Sequence, residues 1–179
     1  LVAQELFGAN GLAALAADAL LIALLDAMPV CDIEMERFLT LARHALLEAA
    51  ATAPVNETPL GFYSALARQC FINEYVFCYT GDEIRRAADL RDALAAALQA
   101  DAPVPALWPV AVAAYFPLCA LPLAARLLER QWPEEVAALL QQQIREPAEE
   151  QQLRATLPRL TGIEDEVSLL VQNQYEENP

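Results

Sequence analysis

The sequence contains no lysine, so all eleven basic side chains are arginine. That absence excludes a P-loop and a Schiff-base lysine, both of which need the primary amine. There is one histidine, His44, set among Leu41, Leu46 and Leu47. No second histidine stands at metal-ligand spacing, HExxH does not occur, and the paired Glu-x-x-His motifs of a di-iron bundle cannot be built. Glycine is scarce, at five residues. Neither GxGxxG nor a GxSxG elbow is present, so no phosphate-cradling loop or exposed serine nucleophile is indicated. The four cysteines, Cys31, Cys70, Cys78 and Cys119, form no CxxC pair. They are expected as buried free thiols in a cytoplasmic protein rather than as a disulfide framework. No catalytic, cofactor-binding or metal-binding residue emerges, and the chain by itself is expected not to be an enzyme.

Positive charge is also in short supply. Twenty-five acidic residues leave a net charge of −14. This balance argues against nucleic acid, which needs a basic footprint to displace counterions, and against an anionic membrane surface. The acid excess reads as a solubility feature. Carboxylate pairs at Glu134/Glu135, Glu149/Glu150, Glu164/Asp165/Glu166 and Glu176/Glu177 fall mostly in expected first helical turns. There they complement the helix dipole. From Ala102 to Ala125 no residue is charged, a length that could span a bilayer. Five prolines interrupt it, so two short helices buried in protein are expected and no membrane partner.

What the chain does have is alanine and leucine. The hydrophobic share is 56%, above the usual range of roughly 45–50%. Ala and Leu lose little side-chain freedom in a helix. Twelve prolines supply the punctuation. The reading is all-α: an irregular multi-helix bundle of about eight or nine helices, with stacked helical hairpins as a variant, and no repeat of roughly 34 residues. A single domain is expected over 1–174, with 175–179 starting a linker. The first residue is Leu1, so a piece of a longer protein is expected.

The expected helices follow from apolar spacing and caps. The first, 12–27, is apolar nearly all round and reads as central, with Asp18 inside it. Asp32 caps the second, about 33–51, whose stripe is Met35, Phe38, Ala42, Ala45 and Ala49. Thr58-Pro59 opens a third that runs to about Tyr79. Thr80 and Glu83 form a capping box for a fourth, reaching about Ala100. It carries Asp82/Arg86 and Arg85/Asp89 at i,i+4. Two short helices at 106–116 and 118–130 follow, then one from Trp132-Pro133 to about Glu146. Pro147 is expected to start another at 148–157. A second capping box, Thr161 with Glu164, opens the last helix at 163–173.

The most unusual segment is Arg68-Gln69-Cys70-Phe71-Ile72-Asn73-Glu74-Tyr75-Val76-Phe77. It places Asn73 and Glu74 inside an aromatic helix. Two readings stand. One is a polar pocket between helices, with Arg68, Asn73 and Glu74 as substrate-binding candidates. The other is a core helix whose polar groups cap or pair with neighbours, Arg68 included.

That segment, together with Thr161-Gly162-Ile163-Glu164-Asp165-Glu166-Val167-Ser168 and the terminal Gln172-Asn173-Gln174-Tyr175-Glu176-Glu177-Asn178-Pro179, resembles the helical middle region of certain bacterial proteins. These carry tetratricopeptide repeats at the N-terminus and a class I S-adenosylmethionine-dependent methyltransferase at the C-terminus. The resemblance implies a bacterial, cytoplasmic, non-catalytic structural or interaction domain linking repeats to a catalytic domain. Its partners would be the adjacent domains and a protein substrate. It implies no cofactor in this chain and S-adenosylmethionine for the parent protein. The alternative is a helical lid that lends substrate-binding residues to the methyltransferase site. A free-standing helical small-molecule binder is the third reading.

Overall fold

The computed structural model describes residues 18–52, 59–157 and 166–177. Among the described residues all regular structure is helical, as the composition predicts. Among the described residues there are nine α-helical segments, or eight if the two flanking a π turn are counted as one. The chain divides into two units, residues 1–148 and 149–179.

In the first unit, α1 (Ala19–Ala27) begins at Asp18, whose carboxylate accepts the Leu21 N–H at 3.0 Å. Asp18 is thus a cap, not an internal charge, and 12–17 lie outside the described residues. Nor is α1 central: of its residues only Leu25 is buried, and Leu20 is 81% exposed. α2 (Ile33–Thr52) starts as expected, with the Met35 N–H on Asp32 at 2.8 Å. Its buried face is Leu39, Ala42, Arg43 and Leu46, flanked by Ala45 and Leu47. Met35, Phe38 and Ala49 of the predicted stripe are only half-buried.

The centre belongs to α3 (Leu60–Ile72), which packs against α1, α2, α5 and α7 and buries Phe62, Tyr63, Leu66, Ala67 and Cys70. Pro59 precedes it, and Thr58 lies outside the described residues. The helix does not reach Tyr79. It closes with Tyr75 N–H on Cys70 O at 2.9 Å and Glu74 N–H on Phe71 O at 3.1 Å. This is a Schellman closure, and it puts Glu74 (φ 52°) in the left-handed region that glycine usually fills. α4 (Gly81–Gln99) ends the same way, with Asp101 (φ 51°) in the glycine position. Asp82 pairs with Arg85 rather than Arg86, and Arg91 with Asp92.

The charge-free stretch folds into the first unit. α5 (Leu107–Ala113) is buried almost throughout. The helix expected over 118–130 is instead a 3₁₀ turn (Leu118–Ala120) and a single turn, α6 (Ala125–Leu128). Leu121 precedes Pro122, which disfavours the helical region, and it is extended at φ −72°, ψ 139°. Among the described residues no helix is long and apolar enough to cross a membrane.

α7 (Glu134–Leu140) does not stop at Glu146. A π turn (Gln141–Arg145) joins it to α8 (Glu146–Thr156), with the Glu146 N–H on Gln141 O. Pro147 lacks an N–H, and its ring clashes with the carbonyl four residues back. Widening the preceding turn accommodates that clash without ending the helix. The same turn carries Gln143 into the core. Its amide accepts from Leu118 N–H (3.2 Å) and donates to Ala67 O (3.2 Å) and Ala113 O (3.3 Å).

The second unit contains α9 (Glu166–Glu177), which ends four residues later than expected, so 175–177 are helical. The capping box at Thr161 and Glu164 lies outside the described residues. Val167, Leu170 and Leu153 are exposed there. All four cysteines are free, but only Cys70 is buried; Cys31, Cys78 and Cys119 sit exposed in connections and the 3₁₀ turn.

Candidate functional site

Helical spacing places Leu60, Ser64 and Arg68 on one face of α3, beside Gly61 and Ala65. Ile22 and Asp26, four apart on α1, face the same space, as do Glu134, Glu135 and Ala138 of α7. Together with Pro59 they line a cleft of about 500 Å³ within the first unit. Ile22, Pro59, Leu60 and Ala138 give it apolar walls.

Its polar groups are incompletely paired. Arg68 Nη1 lies 3.0 Å from Asp26 Oδ2, with both side chains about three-quarters buried. The other carboxylate oxygen, Asp26 Oδ1, has no partner; nor has Arg68 Nε, nor Ser64 Oγ. Ser64 is 2% exposed. Buried polar atoms are nearly always hydrogen-bonded, so three orphans around one cleft are unusual. Burial raises the Asp26 carboxyl above its ordinary value of 3.8, and the Arg68 charge offsets part of that rise.

Of the three residues picked out in the sequence, only Arg68 lines this cleft. Glu74 is exposed on the turn after α3. Asn73 is the C-cap of α3. Its Nδ2 donates to Gln69 at 3.2 Å when the Gln69 amide is oriented to satisfy its neighbours. In that orientation Gln69 donates to Leu25 O and Met28 O and accepts from Val30 N–H, tying the α1–α2 connection to α3. Asp26 and Ser64 carried no signal in the sequence, because a single polar residue in an apolar helix reads as solvent-facing.

A second polar cluster is more deeply buried. Arg43 (1% exposed) donates to Cys78 O at 2.7 Å and to Glu83 Oε1 at 3.3 Å. Tyr115 Oη donates to the same Glu83 oxygen at 2.6 Å, and the Arg43 guanidinium stacks 4.5 Å from the Tyr115 ring centroid. Glu83 Oε2 meanwhile accepts the Thr80 N–H of the capping box at 3.3 Å. The capping-box glutamate thus also holds the charge of α2, joining α2, α4 and the residues after α5. Burial, then the Glu83 hydrogen bond, push the Tyr115 phenol far above its ordinary value. Arg43, Glu83 and Tyr115 are each at most 5% exposed, Arg43 Nε alone among the cluster's buried nitrogens and oxygens lacks a partner, and the cluster reads as structural.

His44 is a third exposed and lies 3.9 Å from Glu48. Among the described residues no group of three His, Cys, Asp or Glu side chains could hold a metal ion. The family resemblance rests on the sequence segments alone: no family model, curated protein or solved structure matches this chain.

Proposed function

We propose that this chain is a non-catalytic helical interaction domain and that the cleft between α1, α3 and α7 holds a group from its partner. The observation that carries this reading is the cleft itself, about 500 Å³, with apolar walls from Ile22, Pro59, Leu60 and Ala138 and the Asp26–Arg68 ion pair beside them. The resemblance supplies the setting: a position between tetratricopeptide repeats and a methyltransferase that binds S-adenosylmethionine.

The test is nuclear magnetic resonance with a mixture of small polar fragments. Amide shifts clustering on Ile22, Ser64, Arg68 and Ala138 support the reading; shifts scattered over the surface, or none, overturn it. Arg68 in the cleft also favours the second reading, a lid that lends this side chain to a neighbouring active site. Calorimetric titration of S-adenosylmethionine separates accessory from catalytic roles. The chain alone is expected to give no binding heat, and saturable binding would overturn the non-catalytic assignment.

A further inference from the structure

We infer that the groove between α4 and the chain from Phe116 to Leu123 binds an extended segment of a partner protein, with apolar side chains at alternate positions and a basic residue at either end. The groove shares no residue with the cleft between α1, α3 and α7, so this inference stands apart from that reading.

Two hollows, of about 360 and 450 Å³, make up the groove and share Asp92, Ala95 and Pro122. On α4 the first is lined by positions 91, 92 and 95, and the second takes in 95, 96 and 99, the same set one turn further on. Four residues of helix rise about 6 Å. Alternate side chains of an extended chain are about 6.6 Å apart, so each hollow receives one of them. Opposite α4, Phe116, Pro117 and Leu121 wall the first hollow and Leu123 the second. That wall is fixed before any partner arrives. Arg126 Nη1 donates to Leu98 O and Arg130 Nη1 to Ala102 O, each at 2.7 Å, tying the chain after Leu123 to the end of α4. Leu123 itself stands at φ 61°, where a leucine is rarely found, and is 47% exposed. Strain of this kind persists where the surroundings impose it, and it gathers at binding sites.

One open donor decides that the segment is extended. The Arg91 guanidinium lies over the Phe116 ring, 5.0 Å from its centroid. Its Nε and Nη2 both donate to Asp92 Oδ1, at 2.9 and 2.8 Å, which leaves Nη1 without a partner among the described residues. The side chain is 38% exposed and lines the first hollow, so a ligand reaches it. Arginine can only donate, so Nη1 needs an acceptor. An extended segment offers backbone carbonyls, whereas a helix spends all but its last four within itself.

Charge decides the composition. Arg91 and Asp92 are the only charged residues that line the two hollows, and they pair, so the groove is balanced and suits uncharged side chains. Its ends are acidic. Asp89, exposed, lies one turn before Asp92 on the same side of α4. Asp101, with its side chain 87% exposed, follows the other end and meets Arg130 only at 3.4 Å. From Asp89 to Asp101 the rise is roughly 18 Å, the span of about five or six extended residues. Basic residues at that separation complement both carboxylates, on a chain whose net charge is −14.

The experiment titrates the 179-residue chain with the peptide N-acetyl-Lys-Ser-Leu-Ser-Leu-Ser-Lys-amide, followed by amide shifts and transferred nuclear Overhauser effects. Saturable shifts over Arg91–Gln99 and Phe116–Leu123, with the bound peptide extended, are expected. The peptide with both lysines changed to glutamate is expected to bind about tenfold more weakly. The peptide with both leucines changed to serine is expected not to saturate. Ala96→Gln, at an exposed helical position, fills the second hollow and is expected to weaken the lysine–leucine peptide about tenfold, with the circular dichroism spectrum unchanged. Arg91→Met keeps the contact with Phe116, removes the donor, and is expected to weaken binding several-fold. No saturation, or shifts away from the groove, overturns the proposal. Equal binding of the glutamate peptide overturns the basic ends, equal binding of the serine peptide overturns the two hollows, and a helical bound peptide overturns the extended segment.

Discussion

Replacing Ser64 by alanine is expected to make this protein more stable. Ser64 lies in the middle of α3 and is 2% exposed, and its hydroxyl has no hydrogen-bond partner. It does not even bond back to the preceding helical turn, the usual recourse of a serine within a helix. A buried hydroxyl left unsatisfied costs about 1–3 kcal/mol. Alanine also has the higher helix propensity, by up to about 0.5 kcal/mol. Against these stands the small gap left by one oxygen beside an already open cleft. The net expectation is a gain of about 1–2 kcal/mol. For a chain of this size that is a rise in melting temperature of roughly 2–8 °C. Urea unfolding at neutral pH reads the change as a shift of midpoint with an unchanged slope. A loss of about 1 kcal/mol or more on substitution would refute the reasoning, because it would mean that the hydroxyl is satisfied.

Glu83→Gln keeps the capping-box bond but leaves the Arg43 cation buried without its counter-charge. A loss of about 3–5 kcal/mol is expected in chemical denaturation, partly recovered in the double variant with Arg43→Met. Glu74→Gly removes a side chain from the left-handed closure of α3 and is expected to stabilise by about 1 kcal/mol, read as a raised urea midpoint. In a thiol-reagent assay Cys31, Cys78 and Cys119 are expected to react in the native protein. Cys70, whose thiol burial pushes up to about 12, is expected to react only after unfolding. The Asp26 carboxyl is raised above 3.8, so the folded chain holds that proton more tightly than the unfolded chain. Its contribution is fully present below pH 3.8 and is lost as pH rises through the folded value. Asp26→Asn, which stays neutral, is expected to gain stability relative to the parent across that window, measured by urea midpoints at successive pH values.

Two helix starts were legible because a side chain meets its own backbone three residues on, whereas Asp18, which caps α1 in the same way, read as an internal charge. Asp32 and the Thr80/Glu83 box are local chemistry, and both form as read. Helix ends were less legible. α3 and α4 stop on Glu74 and Asp101 in left-handed conformations that carry no glycine signal. Pro147 read as a stop, yet the helix passes it by widening one turn, since a proline blocks a particular hydrogen bond rather than the chain's direction.

The candidate site was legible in one residue of three. Arg68 lines the cleft; Asn73 and Glu74 belong to the end of α3. Arg43 escaped notice because its place on α2 looks like any charged position beside an apolar stripe, and only Glu83 and Tyr115, some 40 and 72 positions further along the chain, make its burial tolerable.

By itself the sequence determined the helical class and the side-chain caps at Asp32 and Thr80/Glu83. Each follows from residue type or from neighbours within one helical turn. Only the tertiary structure decided which helix is central, which charges are buried, and that Asp26, Ser64 and Glu135 share a cleft. These depend on contacts between segments far apart in the chain, and burial changes the energy of a polar atom by more than any local preference does.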